Sequence, residues 1–219
     1  MSMTSRLIFI LLCFFLWGCN TPPPSDPRQT QEIGGREDGN PPTRFPVYQA
    51  KVPLSWIRKD ALHTQSLQDS TLPICEFFIR EEQNEVRVTV HNFPNASLES
   101  RVPPLAQISR WKKQFEQLNP LHQHTQPQSW GGFVGLYFEG SGQIKGEQVK
   151  MLGWCMQLAR DHFLNVQQKL LISPDPYFKQ ALADYTIKAL GPKEFVEQHQ
   201  TEIEAFANSF ELIKELPRQ

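Results

Sequence analysis

The chain has 219 residues, with 22 Lys+Arg against 23 Asp+Glu and a hydrophobic fraction of 39%. A formal net charge of −1 supplies no long-range field to gather nucleic acid, which excludes a general nucleic-acid binder. The length gives one domain plus extensions, and a chain of this size hides roughly 70% of its unfolded surface without help from a metal or a disulfide.

At the N-terminus a single charge, Arg6, precedes Leu7 to Trp17, a run without charged or amide side chains. That order is a secretory signal. Extended to Cys19 the run spans 13 residues, roughly 20 Å of helix against a hydrocarbon layer of ~30 Å, so a membrane span is disfavoured. Leu16-Trp17-Gly18-Cys19 resembles the lipobox of bacterial lipoproteins, with Trp17 standing where a small residue is usual. The resemblance implies a signal peptide over 1–18, a lipidated Cys19 carrying palmitate-type chains, and a membrane-anchored lipoprotein of the cell envelope facing the periplasm or exterior. Two or three acyl chains hold a protein durably where one holds it only marginally. An ordinary signal peptide with an incidental cysteine, or an uncleaved anchor, stays open. Cys13 lies inside the apolar run and would be lost with it.

Residues 20–46 contain seven Pro, three Gly and almost no aliphatic side chain. Such composition cannot offset the entropy of ordering, so 19–46 reads as a lipidated cysteine followed by a disordered tether. A linker of that length spans roughly 30–60 Å.

From Val47 to the end, 47–219, the texture is that of one globular domain. Val47 to Trp56 reads as a strand running into a turn, and Ile74 to Arg80 is a largely apolar run. Glu85 to His91 alternates strictly, with Val86, Val88 and Val90 on one face. The short polar segment between the last two marks a hairpin. After Pro103-Pro104, the spacing of Leu105, Ile108, Trp111, Phe115 and Leu118 is helical. A polar loop rich in Gln and His follows, then strands over Trp130 to Glu139 and Gln148 to Leu158, and a helical pattern over 156–171. Ala183 to Ala189 is a further strand. Pro192 opens a helix whose stripe is Phe195, Val196, His199, Ile203, Phe206, Phe210 and Ile213. A helix with one apolar stripe must lie on a sheet or another helix, which gives an α+β fold with an antiparallel sheet packed against helices.

The segments Ala106 to Gln114 and Tyr185 to Pro192, with a last helix ending Phe206-Ala207-Asn208-Ser209-Phe210, are similar to a group of uncharacterised bacterial envelope proteins. Gln107 stands where that group usually has Asn, and 156–182 reads as an inserted element. The layout resembles the PsbP-like sandwich. That resemblance implies a docking or assembly factor more than an enzyme and carries no activity over.

Few residues form a chemical constellation. His122 and His124 would point to one side of an extended segment, as metal ligands must, yet Leu118–Trp130 holds no Cys, Asp or Glu to complete a set. A solvated loop is the preferred reading. His199 falls on the stripe of the last helix and reads as a packing residue. Cys75 and Cys155 sit in strand candidates of an exported chain, either as a disulfide or as buried apolar thiols. The glycines of Trp130 to Leu136 lack phosphate-loop spacing and read as a bulge or tight crossing. Gly140-Ser141-Gly142 lacks the spacing of a nucleophile elbow. Trp130, Tyr137 and Trp154, with Arg110 and Trp111, are the candidate ligand or partner surface.

The sequence therefore predicts a non-catalytic binding or assembly module held to a membrane by an N-terminal lipid, with a protein partner in the envelope, no cofactor and no metal. The alternatives are a small-ligand-binding lipoprotein and, behind it, a hydrolase or metal enzyme with a scattered site.

Overall fold

The computed structural model describes residues 27–36, 45–60 and 71–216. The signal peptide, Cys19 and the stretches 20–26 and 37–44 of the expected tether lie outside them.

The chain begins with β1, Arg28–Gly34, antiparallel to β2, Pro46–Pro53, in continuous register from Arg28↔Pro53 to Ile33↔Tyr48. This corrects the reading of 19–46 as disordered throughout and moves the start of the folded domain ahead of residue 47. A polar edge strand needs little apolar area of its own, because its main chain is satisfied by the neighbouring strand. Ile33 is fully buried. Just beyond β1, the buried Arg36 donates from Nη2 to the carbonyls of Leu72 (2.9 Å) and Asn92 (3.1 Å), and Gln180 Oε1 accepts its main-chain N–H at 3.2 Å. These bonds plug the end of β1 into the body.

A turn at Pro53–Trp56 leads to β3, Ile57–Asp60, and then come β4, Cys75–Glu81, and β5, Asn84–Phe93. The last two form the expected hairpin. Helix α1 runs only over Pro104–Lys112. Phe115 and Leu118, which share its spacing, pack beyond its end, Phe115 as a buried side chain. Next are β6, Gln117–Trp130, β7, Phe133–Ile144, and β8, Glu147–Leu158. The Gln- and His-rich segment is thus an edge strand and not a loop. Polar residues on both faces hid it, as an outer strand has only one neighbour to satisfy.

Of the segment 156–182 expected to be inserted, with a helix from 156, residues 156–158 instead complete β8, and the rest folds as α2, Arg160–Ile172, and α3, Pro176–Ala181. It is followed by β9, Asp184–Pro192, α4, Lys193–Asn208, and the short β10, Glu211–Leu212.

Among the described residues, seven strands make one sheet in the order β3-β4-β5-β9-β8-β7-β6, and β1-β2-β10 make a second, with every pairing antiparallel. The α+β class expected from the sequence is the class found. Two-residue turns join β6 to β7 at Gly131-Gly132, with φ of +57° and +83°, the left-handed pair that a tight hairpin turn requires of glycine.

The large sheet has two unlike faces. One carries Val86, Val88, Val90, Tyr185, Ile187, Leu152 and Trp154 and packs under α4 and the small sheet. On the other, α1 covers β7 and β8 with Ile108 and Trp111. The Trp111 ring lies directly over Gly153, where an added Cβ would come within 2.4 Å of it.

Aromatic rings join the elements of the larger core. Phe206 of α4 meets Trp56 at 5.3 Å and Phe77 of β4 at 5.1 Å, centroid to centroid. Phe210 meets Tyr48 of β2 at 4.8 Å and Tyr185 of β9 at 4.7 Å. Phe206→Ala is expected to cost about 3–5 kcal/mol in urea unfolding, the range for emptying a buried Phe site. A loss below 1 kcal/mol would show that the site collapses and that Phe206 does not hold these elements together.

Candidate functional site

The pleat of β7 and β8 builds an open cleft at the β6 edge. On β7 the period of two places Tyr137, Glu139 and Ser141 on the face toward α4, and on β8 it places Lys150, Leu152 and Trp154 there. Lys150 is directly opposite Ser141 in the register, and Glu139 is opposite Leu152. The Lys150 side chain therefore reaches Glu139 along the diagonal, a separation long side chains bridge. Its Nζ lies 2.7 Å from Glu139 Oε1 and 3.5 Å from Glu197 Oε1 in the first turns of α4.

The second oxygen of Glu139 accepts from the Tyr137 hydroxyl at 3.0 Å and from Gln200 Nε2 at 3.4 Å, while Gln200 also donates to Glu204 at 2.7 Å. Burial pushes the Glu139 carboxyl upward, but the Lys150 ammonium and the donated hydrogen bonds outweigh it and hold it below its ordinary value. Burial, and then the neighbouring Glu139 charge, drive the Tyr137 hydroxyl well above its own, so it remains a donor.

The edge strand opens over this network. Between Leu118↔Gly142 and Gln123↔Gly140, β6 runs four residues against one on β7, a large bulge that leaves Ser141 unopposed. Leu121 stands out from the bulge at 88% exposure. His122, His124, Ser141, Lys150 and Glu197 line the resulting cavity, about 360 Å³ in volume. His124 is opposite Glu139 in the register and its Nε2 lies 3.1 Å from Gln126 Oε1. Among the described residues no group of three or more His, Cys, Asp or Glu is placed to hold a metal ion.

The surface expected from Trp130, Tyr137, Trp154, Arg110 and Trp111 is not one surface. Trp154 and Tyr137 are buried with ring centroids 5.0 Å apart, and Trp130 packs against the same core. Tyr137 meets the cleft indirectly, through the hydrogen bond its hydroxyl donates to Glu139. Arg110 and Trp111 lie across the sheet, with Trp111 buried on Gly153 and Arg110 beside a cavity of about 30 Å³ that also touches Cys155 and Thr186. Large aromatic spacing in strands marked core, not pocket.

Cys75 and Cys155 do not bond to each other. Cys75 is on β4 and Cys155 on β8, with β5 and β9 between them. Three strand spacings of about 4.8 Å exceed the reach of a disulfide. Burial pushes the Cys155 thiol up to about 12. His199, expected as a packing residue, stacks edge-on against Phe195 at 4.7 Å, and its ring nitrogens lie 3.2 Å from Glu202 and 3.4 Å from Glu81.

Sequence reasoning missed Glu139, Lys150 and Glu197, and weighed Ser141 only as a nucleophile. One signal was present: Lys150 is a lone ammonium within the largely apolar stretch of β8.

No protein-family model matches the sequence, and no curated protein matches it. Among solved structures, the chain is similar to the cyanobacterial PsbP (CyanoP) of Synechocystis sp. PCC 6803, at 11% identity and a TM-score of 0.46, over 85% of this chain and 93% of that one. It is also similar to LpqN of Mycobacterium tuberculosis, described as involved in cell envelope biogenesis, at 9% identity and a TM-score of 0.47, over 86% and 92%. At these scores function must be read from the side chains.

Lys150→Met leaves the Glu139 carboxylate beside Glu197 with no cation, and unfolding at pH 7 should show a loss of about 2 kcal/mol, reduced from the fully buried case because Glu139 is 26% exposed. In the native chain, the lowered Glu139 value contributes stability above its unfolded value of 4.5 that disappears as pH falls through the folded value. In Lys150→Met only the Tyr137 and Gln200 hydrogen bonds oppose burial of the carboxylate, so the penalty is present at neutral pH and absent once the carboxyl is protonated. The deficit should therefore narrow between pH 7 and pH 4. A deficit constant across that range contradicts the pairing.

Proposed function

We propose that the chain is a lipid-anchored protein of the bacterial envelope whose globular domain is a binding module, taking a small polar ligand in the cleft beside Lys150. The observation that carries the binding reading is the set of paired charges at the cleft, with Lys150 held between Glu139 and Glu197 beside the cavity. Glu139 is held as a carboxylate and Tyr137 holds its proton, so neither exchanges protons readily near neutral pH, as a general acid or base must. Fixed charges suit recognition.

The ligand class follows from the charge balance. Two carboxylates, Glu139 and Glu197, face one ammonium, Lys150, which leaves the cavity with an excess negative charge. The Ser141 hydroxyl and the imidazoles of His122 and His124 add hydrogen-bonding capacity along the wall. A small hydroxylated amine complements that lining better than an anion or an apolar molecule. The envelope part of the reading rests on Leu16-Trp17-Gly18-Cys19 and on the polar segment that follows it.

Two measurements test the two halves. Metabolic labelling with an alkynyl palmitate should mark the wild type and leave Cys19→Ala unmarked; equal labelling of both refutes the anchor. A thermal-shift panel of hydroxylated amines should find a stabilising member, worth about 2.7 kcal/mol at 100 times its dissociation constant. Glu197→Lys should abolish that shift, and an undiminished shift places binding elsewhere.

A further inference from the structure

We infer that the turn between β2 and β3 seats the domain on the bilayer that holds the Cys19 lipid, with Leu54 and Ile57 entering the boundary between headgroups and acyl chains. The inference rests on the proposed lipidation and adds an orientation to it.

The first observation is apolar exposure in a fixed turn. Leu54 is 55% exposed and Ile57 48%. Between them the Trp56 ring is buried against Phe77 and Phe206, and the main-chain N–H of Trp56 donates to the Pro53 carbonyl at 3.2 Å. The turn is thus anchored from inside while it presents two large aliphatic side chains outward.

The second is where the tether joins. The Leu54 N–H donates to the Pro27 carbonyl at 2.9 Å, so the segment leading from Cys19 reaches the folded domain at this same turn. Only seven residues separate Cys19 from Pro27. Eight Cα steps reach at most about 26–29 Å. A bilayer-bound lipid on Cys19 therefore keeps this end of the domain next to the membrane.

The third is charge. Arg28 is opposite Pro53 in the register, exposed Lys51 and Lys59 flank the turn, and Arg58 is paired to Asp60 at 2.8 Å. With Arg58 neutralised by Asp60, the aliphatic pair is flanked by the cations Arg28, Lys51 and Lys59, an arrangement that suits an anionic lipid surface. The exposed Leu171 of α2 belongs to the other end. Helix α2 packs on α3, and the hydroxyl of Tyr177 in α3 donates to the Val47 carbonyl, six residues along β2 from Pro53.

The test uses the full-length lipidated protein in vesicles of phosphatidylethanolamine and phosphatidylglycerol. A polarity-sensitive fluorophore is attached at Leu54→Cys or, as control, at Leu171→Cys. The buried Cys75 and Cys155 do not compete for the label. A lipid quencher placed just below the headgroups should reduce emission at least twofold at position 54 and leave position 171 unchanged. Equal emission changes at both positions, or none at 54 in protein that floats with the vesicles, overturns the docking and leaves the anchor standing. Protein that stays at the bottom of the gradient with an unmodified Cys19 overturns the anchor, and the docking with it.

Discussion

The structure depends on an aromatic seam that fastens the small sheet to the large one. Tyr48 reaches down from β2, Tyr185 and Phe133 rise from the large sheet, and Phe210 closes the gap after α4. Each ring is almost completely removed from water. Such side chains contribute the largest single burial terms in a core, and their tilted and edge-on contacts fix orientation as well as area. Because β2 is held there, β1 has a template. Because β1 is held, the chain enters the domain at Pro27. A change in ring packing at the centre thus determines how the polypeptide leaves the domain toward its N-terminus.

The same sheet divides two chemistries. Toward α4 the pleat gathers apolar residues until the strands reach their β6 end, where Lys150 and Glu139 replace them and the bulge in β6 withdraws its backbone. Had β6 paired without interruption, a residue would oppose Ser141 and fill the floor of the cleft. Toward α1 the face is sealed by Trp111 on Gly153, and the space left beside Arg110 holds about one water. An ion pair with only one partner well buried is a poor source of stability, since desolvation offsets much of the attraction. Its value here lies in holding two charges in fixed places beside an open cavity.

How much of this the sequence carried depends on how strongly each element's own residues specify it. The alternation of Val86, Val88 and Val90 and the stripe from Phe195 to Phe206 located β5 and α4, because burial on one face imposes a period that cannot be hidden. Strands β1 and β6 were unreadable for the opposite reason. Both are edges made mostly of polar residues, and they form because β2 and β7 offer unpaired backbone, which no local pattern records. The aromatic candidates failed by the same logic, since Trp154 and Trp111 are too large to leave a packed interior open around them. Lys150 and Glu139 come together only through the β7–β8 register, which is a property of two strands and their turn. The Leu54 and Ile57 pair gains meaning only when β1 is known to end the tether beside it.

The participation of β1 in the fold sets where the chain enters the domain. Amide hydrogen exchange of the intact protein tests that participation directly. If Arg28–Gly34 is paired with Pro46–Pro53, the N–H groups of β1 that donate to β2 should exchange at least a hundredfold more slowly than in an unstructured peptide of the same sequence. Exchange of all of them at the peptide's rate would show a free segment and would return the domain to a long tether, away from the membrane.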